Sequence, residues 1–404
     1  MRFERLGNIV SIAKGKKPTF SESPDENSVR VLQIDDLRND NNIKYTDDKT
    51  GVFAKKEDVL LAWDGANAGT IGFGKTGYIG STIAVLRKNN PKDFDTVFIG
   101  KFLQSQSEFL RGKSTGATIP HIDRKSLESL RIPRLSLSDQ LHIANILSKA
   151  ENLISQRKQS IALLDEFLKS TFLEMFGDNS KNQKAWERIT LIEACANKHD
   201  VKCGPFGTQL GKSEYQIYGV PVWGIPQINS QFKILPKDFV TDTKALELDE
   251  YSVIPFDIVM SRKGNVGKCS LFPKDFPKGI IHSDVLRIRT DKKKMLPEFL
   301  LFQLKFSKHV EIQINGVSKG AIMAGINVGK LKHIIIQLPP IELQTQFAQI
   351  VEKTEALKAQ YQSSLQELDN LYGCLSQRAF RGELTLNHAE EQVLMAAEPE
   401  GKYK

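Results

Sequence analysis

One stretch of this 404-residue chain has the spacing of a phosphate-binding loop. Residues 69–76 read Gly-Thr-Ile-Gly-Phe-Gly-Lys-Thr, and the overlapping residues 72–77 fit a dinucleotide fingerprint. Both patterns bind phosphate only when a helix follows at once, because the amides of its first turn hold the anion. Residues 77–83 are typical of a turn and a strand instead. We therefore expect Gly-rich hairpin turns here, with nucleotide binding as the less favoured alternative.

Other catalytic patterns are missing from the sequence. The seven histidines are isolated, and no His-Glu-x-x-His motif or Ser, His and Asp set stands out. The four cysteines lack the Cys-x-x-Cys spacing of a zinc site, and there is no Asn-Pro-Pro-aromatic loop of a methyltransferase. The sequence thus predicts no catalytic residue, no metal site and no cofactor in this chain, and indicates a binding protein.

Basic and amide side chains point to a partner. The formal net charge of +8 and the pI of about 9.1 favour an anionic partner such as a nucleic acid. Lysines and arginines recur on Gly-containing or polar loops, where they could contact DNA phosphates. The side-chain amides of nearby Asn and Gln residues could form bidentate hydrogen bonds with adenine. The candidates for DNA binding are Lys14, Lys16, Lys17, Arg111, Lys113, Arg124, Lys125, Lys202, Lys212, Gln227, Asn229, Arg262, Lys263 and Lys319.

The elements that must position these residues occur twice. Shifting the sequence by 204 residues, which places Phe176 on Phe380, superimposes matching residues over the whole stretch that begins at Gly116 and Gly320. Near the start of each half, Trp186 to Ile189 echo Phe3 to Leu6 at an offset of 183 instead. Two copies are too few for a solenoid. The chain therefore alternates a globular domain and a long helix, twice.

Each copy ends in a predicted amphipathic helix. Residues 138–176 contain no Gly or Pro, and apolar residues spaced by three and four form one stripe on each helix. At roughly 35 residues each helix is about 50 Å long, and the other helix is its economical partner. An antiparallel coiled coil follows from the alternation of domain and helix. Its expected core is Leu147, Ile154, Ile161, Leu164, Leu168, Leu357, Tyr361, Leu365, Leu368, Tyr372 and Leu375.

The globular parts are predicted to mix helices and strands. Strand-like runs span Ser81 to Leu86 and Asp284 to Ile288, and short helical stretches lie near Phe98 to Leu110 and Pro297 to Val310. The predicted fold class is α/β, more closely α+β, with two similar domains, two long helices and a pseudo-two-fold repeat. The predicted segments are a domain at 1–137, a helix at 138–177, a domain at 178–340, a helix at 341–383 and a polar tail at 384–404.

Several stretches follow an order typical of one family. In the second half they are Lys202 to Leu210, Tyr215, Gly219 to Val222, Asp257 to Gly264, Ser283 to Arg289, Leu338 to Gln344 and Ala379 to Leu384. In the first half they are Ala13 to Thr19, Asp58 to Leu61 and Gly65. Nearly the whole chain thereby resembles the DNA-specificity subunit of type I restriction-modification systems.

This resemblance implies two target-recognition domains, each reading one half of a bipartite DNA site and held apart by the paired helices. It implies a non-catalytic subunit that binds double-stranded DNA and two methyltransferase subunits, which ATP-dependent restriction subunits join. The methyl donor and ATP would bind to those partners. Because the sequence has no signal peptide and no long apolar run, we expect a cytoplasmic protein without membrane contact. The alternatives are a type II specificity subunit and, less favoured, a P-loop nucleotide-binding protein.

Overall fold

The computed structural model describes residues 2–22, 24–114, 120–177, 184–318 and 325–386. The chain forms two compact units. The first unit consists of Met1–Lys158 and Ser363–Lys404, and the second of Gln159–Gln362. Each unit therefore contains a mixed domain and one part of each long helix.

The first unit holds the elements of the first repeat. Its strands are β1 (Phe3–Arg5), β2 (Val10–Lys14), β3 (Val29–Leu32), β4 (Lys44–Thr46), β5 (Phe53–Ala54), β6 (Val59–Ala62), β7 (Ile71–Phe73), β8 (Gly77–Ile79), β9 (Ile83–Lys88) and β10 (Arg131–Pro133). Its short helices are α1 (Leu6–Ile9), α2 (Thr96–Ser105), α3 (Ser107–Gly112) and α4 (Arg124–Ser129). The long helix α5 (Leu137–Phe176) begins in this unit.

The second unit holds the elements of the second repeat. Its strands are β11 (Glu187–Thr190), β12 (Val201–Cys203), β13 (Val220–Trp223), β14 (Phe239–Val240), β15 (Ser252–Val253), β16 (Ile258–Ser261), β17 (Cys269–Leu271), β18 (Gly279–Ile281), β19 (Val285–Ile288) and β20 (Ile335–Leu338). Its short helices are α6 (Ile225–Asn229), α7 (Asp242–Glu247), α8 (Pro297–Phe306), α9 (Lys308–Ser318) and α10 (Val328–Leu331). The long helix α11 (Ile341–Phe380) follows β20.

The sheet topology is the same in both units. Strand order is β2-β9-β6-β7 and β4-β3-β8-β5 in the first, and β12-β19-β16-β17 and β14-β13-β18-β15 in the second. The central strands β6 and β16 are buried along their whole length. The mixed fold class is thus confirmed, as are the strands expected near residues 81–86 and 284–288. The two expected helical stretches each form two helices, α2 with α3 and α8 with α9.

Backbone hydrogen bonds show which residues of the two repeats are equivalent. Leu6 N–H donates to Leu130 O, and Leu191 N–H donates to Ile334 O. Because 130 and 334 differ by 204, Leu191 is the counterpart of Leu6, at an offset of 185. The sequence echo at an offset of 183 was therefore wrong by two residues. Side-chain similarity on a three-residue strand is too short a signal to fix its register.

The predicted long helices are confirmed. Each is 40 residues long, somewhat more than expected, and so about 60 Å. A glycine in the left-handed region follows each helix, directly after α5 at Gly177, where φ is +81°, and two residues after α11 at Gly382, where φ is +79°. Gly373 lies within α11 without interrupting it.

In each unit the two helix segments run antiparallel. In the first, Tyr372 Oη of α11 donates to Glu151 of α5 at 2.8 Å, and Leu386 N–H, beyond the end of α11, donates to Asp139 near the start of α5 at 2.9 Å. Later residues of α11 and its extension therefore face earlier residues of α5. In the second, Lys358 bonds Asp165, and the Phe347 ring lies 5.5 Å from that of Phe172. The coiled coil expected along the full helices stays a prediction.

One expected core residue of the helix pair is wrong. Leu357 is 36% exposed, whereas its neighbour Lys358 is only 8% exposed. The buried residues of α11 include Phe347, Val351 and Thr354, and the spacing of four and three continues to Lys358 rather than to Leu357. Leu357 therefore lies outside the buried stripe of α11. Lys358, which forms an ion pair with Asp165, lies within that stripe.

Each domain core continues onto the long helices. In the first unit Phe380 packs against Phe98 and Phe102, with ring centroids 5.6 and 5.4 Å apart. In the second, Phe176 lies 4.6 Å from Phe299. Within the described ranges, no helix is long and apolar enough to cross a membrane.

Candidate nucleic-acid interface

Several loops of the first unit meet at one end of the β2-β9-β6-β7 sheet. Trp63, which follows β6, donates its N–H to Thr82 O at 2.7 Å and accepts from Ile122 N–H at 2.9 Å. Gly15, which follows β2, donates to Ile83 O at 3.0 Å. We call residues 14–17, 63–70, 80–82 and 120–122 the first loop cluster.

The second unit repeats this backbone arrangement. Arg262, which follows β16, donates its N–H to Asp284 O at 2.8 Å and accepts from Ile326 N–H at 3.1 Å. Gly204, which follows β12, donates to Val285 O at 3.1 Å. We call residues 203–206, 262–268, 282–284 and 325–326 the second loop cluster.

Glycine is required where these loops cross the strands. A Cβ on Gly15 would lie 2.4 Å from the carbonyl oxygen of Ile79, and one on Gly204 would lie 2.3 Å from that of Ile281. Such distances are well inside van der Waals contact, so no other residue fits without a backbone shift. The two clusters thus share one backbone design.

Paired ions support both clusters from the far end of the strands. Arg87 donates two hydrogen bonds to Asp58, at 3.0 and 2.7 Å, and Arg289 donates two to Asp257, at 2.8 and 2.7 Å. Asp58 and Asp257 are buried immediately before β6 and β16. Bidentate pairs of this kind fix orientation as well as distance. They hold the strands from which the loops emerge.

The first loop cluster carries a linked set of charges around Asp64. Lys14 Nζ and His121 Nδ1 each lie 2.6 Å from one oxygen of its carboxylate. Burial would raise the pKa of the Asp64 carboxyl, but the hydrogen bonds from His121 and Lys14 outweigh it and hold that pKa below its usual value. The aspartate therefore stays ionised and positions two cationic or hydrogen-bonding groups.

The second loop cluster carries different side chains. Lys263 Nζ lies 3.0 Å from Asp284, and the Arg262 guanidinium carbon lies 4.8 Å from the ring centroid of Phe206. Arg262 Nε also donates to Ile326 O at 3.1 Å. A cation fixed over an exposed aromatic ring is suited to contact with nucleotides.

Five of the sequence candidates lie in these two clusters. They are Lys14, Lys16, Lys17, Arg262 and Lys263. Arg111 adjoins the first cluster, because its Nε donates to Ala68 O at 3.1 Å. Lys16 bonds Thr50 and lies 3.6 Å from Asp48, while Lys17 is exposed.

Other candidates lie elsewhere or are already engaged. Lys202 bonds Glu250 and lies over the Tyr251 ring, 4.5 Å from its centroid. Arg124 donates to Glu128 at 2.7 Å on α4, and this pair is one turn apart. Exposed candidates without a place in either cluster are Lys113, Lys125 and Lys212. Lys319 lies outside the described residues.

The two amide candidates differ in availability. Gln227 is 5% exposed, its Nε2 donates to Leu235 O at 3.1 Å, and its Oε1 accepts from Gly224 N–H at 3.0 Å. Its amide thus stabilises the start of α6 and is not presented for adenine in this conformation. Asn229 is half-buried, and its backbone carbonyl oxygen accepts from Lys268 of the second cluster at 3.1 Å. Its side-chain Oδ1 is buried without a hydrogen-bond partner among the described residues.

The phosphate-loop pattern forms turns and strands, but only part of it is a hairpin. Gly69 lies in the hairpin turn between β6 and β7, whereas residues 74–76 connect β7 to β8 of the other sheet. Residues 71–73 form β7, Gly74 has φ of +73°, and β8 begins at Gly77. Lys75 pairs with Asp40 at 2.8 Å. Strand β8 begins directly after Thr76, so the expected turn and strand are confirmed, and the helix that a phosphate loop requires does not stand at this point. Within the described residues no group of three or more His, Cys, Asp or Glu could hold a metal ion.

Sequence reasoning missed Asp64, His121, Phe206 and Asp284. Asp64 and His121 are 57 residues apart and meet only because a backbone bridge joins residues 64 and 121. No spacing pattern reports such a pair. The only sequence signal for Asp64 was its place directly before Gly65, at the end of residues 58–65, which correspond to Asp257 to Gly264 in the second half.

Comparison with known proteins identifies the class. The type I restriction modification DNA specificity domain matches residues 1–164 and 201–368. The chain belongs to this family of type I specificity subunits and carries the domain twice.

Individual relatives agree with this class. The chain is 27% identical over 370 residues to the type I restriction enzyme MjaVIII specificity subunit of Methanocaldococcus jannaschii, covering 87% of this chain and 85% of that one. It is 22% identical to the EcoKI specificity subunit of Escherichia coli, over 85% and 78% of the two chains. In fold, it is similar to the type I S subunit from M. genitalium, with a TM-score of 0.58 and 17% identity over 94% and 96% of the chains. A chain from a type I R-M system gives a TM-score of 0.53, with 18% identity over 95% and 98%.

Proposed function

We propose that this chain selects the DNA sequence for a type I restriction-modification complex. Each domain reads one half of a bipartite DNA site through its loop cluster, and the long helices set the separation of the half-sites. The reactions belong to partner subunits, which bind the methyl donor and ATP. The chain itself contributes binding and positioning.

One observation carries this proposal. The two loop clusters share hydrogen-bonded backbones and strand supports, yet their side chains differ. Asp64 with Lys14 and His121 occupies the first, whereas Arg262, Lys263 and Phe206 occupy parts of the second. A common scaffold with unlike side chains is what two different half-sites require, because hydrogen-bond patterns in the major groove distinguish the base pairs.

We also propose that two methyltransferase subunits dock on the long helices, one on each unit. The first unit exposes Leu153 of α5 and Leu371 of α11, at 50% and 49%. The second exposes Phe167 and Leu357, which are the 204-residue counterparts of Leu371 and Leu153. Each pair flanks the antiparallel seam, near Glu151–Tyr372 or Asp165–Lys358. Exposed apolar side chains repeated in this way fit a partner that binds once per repeat.

Exchange of one domain tests whether each domain recognises one half-site. Residues 1–137 are replaced by the corresponding domain of another specificity subunit, and the methylated sites are mapped in host DNA. We expect new bases in one half-site, with the other half-site unchanged. Altered bases in both half-sites, in a complex that assembles normally, would contradict separate reading. Composition of the purified complex separates a type I from a type II assembly.

Paired substitutions test the docking surface. Leu153→Glu with Leu371→Glu should reduce the methyltransferase subunits bound from two to one, because charge replaces the apolar contact of the first unit. The matched control is Asn152→Glu with Asn370→Glu, which adds the same charge at neighbouring exposed positions. Native mass spectrometry counts the subunits. Full occupancy in the leucine variant would refute this docking surface.

A further inference from the structure

We propose that Arg262 reads a guanine base in the half-site of the second domain. This inference rests on the proposed function and assigns one of its specificity-determining residues. Among the sequence candidates Arg262 was one of several cations suited to phosphate. The structure gives it a different geometry.

The guanidinium of Arg262 is held in a fixed orientation. Nε donates to the backbone oxygen of Ile326 at 3.1 Å, and the group lies over the ring of Phe206. Its two terminal nitrogens make no hydrogen bond to any residue in the part of the chain that the structure describes. Two contacts thus orient the planar group while its terminal donors remain available. The point charge of a lysine suffices for a phosphate contact, whereas base readout depends on donors that are held in a fixed orientation.

Comparison of the two repeats places this residue at a variable position on a shared loop. Ala62 and Ser261 occupy equivalent positions, because each accepts a backbone bond from a glycine that closes the loop, Gly69 or Gly267. The residue that follows each is Trp63 in the first cluster and Arg262 in the second. The backbone oxygen of each accepts from an isoleucine N–H, that of Ile122 or of Ile326. The two backbones therefore make the same hydrogen bond, while the two side chains differ.

The chemistry of this group selects guanine. Guanine presents two acceptors, O6 and N7, on its major-groove edge, and an arginine fork donates to both at once. Adenine presents a donor in place of O6, so one of the two hydrogen bonds is lost and a donor faces a donor. Lys263, the next residue, is paired with Asp284 and supplies charge without a planar fork.

The experiment uses the assembled methyltransferase complex and selection of bound sequences from a DNA pool in which the second half-site is randomised. For wild type we expect guanine at one position. Arg262→Lys keeps the charge but loses the fork, so we expect the preference at that position alone to fall roughly 5- to 150-fold. Phe206→Leu leaves Arg262 in place but removes its ring, and should relax the same position. The matched control, Lys263→Ala, should weaken all sequences alike.

A second measurement changes the DNA instead of the protein. Each guanine of the second half-site is replaced in turn by 7-deazaguanine, which lacks the N7 acceptor. Wild type should lose affinity at one guanine, and Arg262→Ala, which removes every donor that could reach N7, should be insensitive there. Uniform weakening by Arg262→Lys, or a second half-site without guanine, would overturn the inference while leaving two-domain recognition intact. Absence of any base preference in the wild-type complex would instead refute the proposed function.

Discussion

Lengthening the helix pair should lengthen the DNA spacer between the half-sites. The perturbation duplicates residues 161–167 of α5 together with the facing residues 356–362 of α11. The Lys358–Asp165 pair defines which residues face each other in the second unit. The described hydrophobic core of that unit includes Leu168 and Val351, which both lie at the domain end of the duplicated segments, but no residue of those segments. The insertion therefore leaves the domain core intact.

The magnitude follows from helix geometry. Seven residues add about 10.5 Å at 1.5 Å per residue, and a seven-residue insertion keeps a seam of period 3.5 in phase. DNA rises about 3.4 Å per base pair, so the preferred spacer should grow by about three base pairs. Three base pairs also turn the duplex by about 100°, so affinity should fall as well.

The assay is methylation of a DNA pool in which both half-sites are fixed and the spacer length varies. We expect the distribution of methylated spacers to shift upwards by about three base pairs without a change in either half-site. Duplication in α5 alone is the control, because it adds the same residues but destroys the facing register. An unchanged spacer in a folded double-duplication variant would refute the idea that the helices set the distance.

Three further predictions concern the interface and its support. Affinity for DNA should fall about 10³–10⁵-fold between 50 and 200 mM salt if roughly 6–10 phosphates are contacted, and a flat salt profile in a binding titration would contradict the basic surfaces. Asp257→Asn should lower the free energy of unfolding by about 2–4 kcal/mol in urea titrations, because it leaves Arg289 without its buried partner; a change within error would mean that the pair does not hold the strand. Lys75→Ala should leave ATP hydrolysis by the assembled complex unchanged, since Lys75 pairs with Asp40 in a turn that leads into a strand, and a selective loss would restore the phosphate-loop interpretation.

The long helices were predictable because their signal is local and repeated. A stripe with spacing three and four, free of Gly and Pro in α5, specifies a helix over many turns without reference to the rest of the fold. The limit of this signal appears at Leu357. Leucine and lysine in adjacent positions both continue a plausible stripe, and only the ion pair with Asp165 shows that Lys358 faces the partner helix.

The register of the two domains was less predictable. Equivalent residues are 185 apart at Leu6 and Leu191 and 204 apart at Gln140 and Gln344. The two glutamines occupy the same role, since each accepts from a backbone N–H at 2.9 Å and donates to two carbonyl oxygens. Insertions between these points change the offset along the chain. A single sequence shift can therefore follow the helices but not the loops, where the candidate interface lies.

The interface itself depends on contacts that no local pattern encodes. Lys14, Asp64 and His121 come from three separate segments and meet through backbone bonds between strands and loops. Sequence reasoning found the lysine from charge and loop composition, but it set the histidine aside because spacing alone gave it no partner. Basic residues were found more readily than the acids that orient them. Charge counting favours cations when the expected ligand is an anion.

The helix segments of the two units are held by unlike polar contacts, and this difference bears on how the register is specified. In the first unit the buried Lys101 bonds Glu151, which also accepts from Tyr372. In the second, Lys358 takes the buried polar position and bonds Asp165, while Leu168 is the counterpart of Tyr372. A buried charge separated from its partner is costly, so sliding α11 by one heptad would leave Lys358 unpaired in the second unit. In the first unit the same slip would separate Tyr372 from Glu151. Apolar stripes alone would tolerate such a slip, since they repeat every seven residues. The polar pairs therefore select one register within each unit, and a spacer of defined length requires that selection.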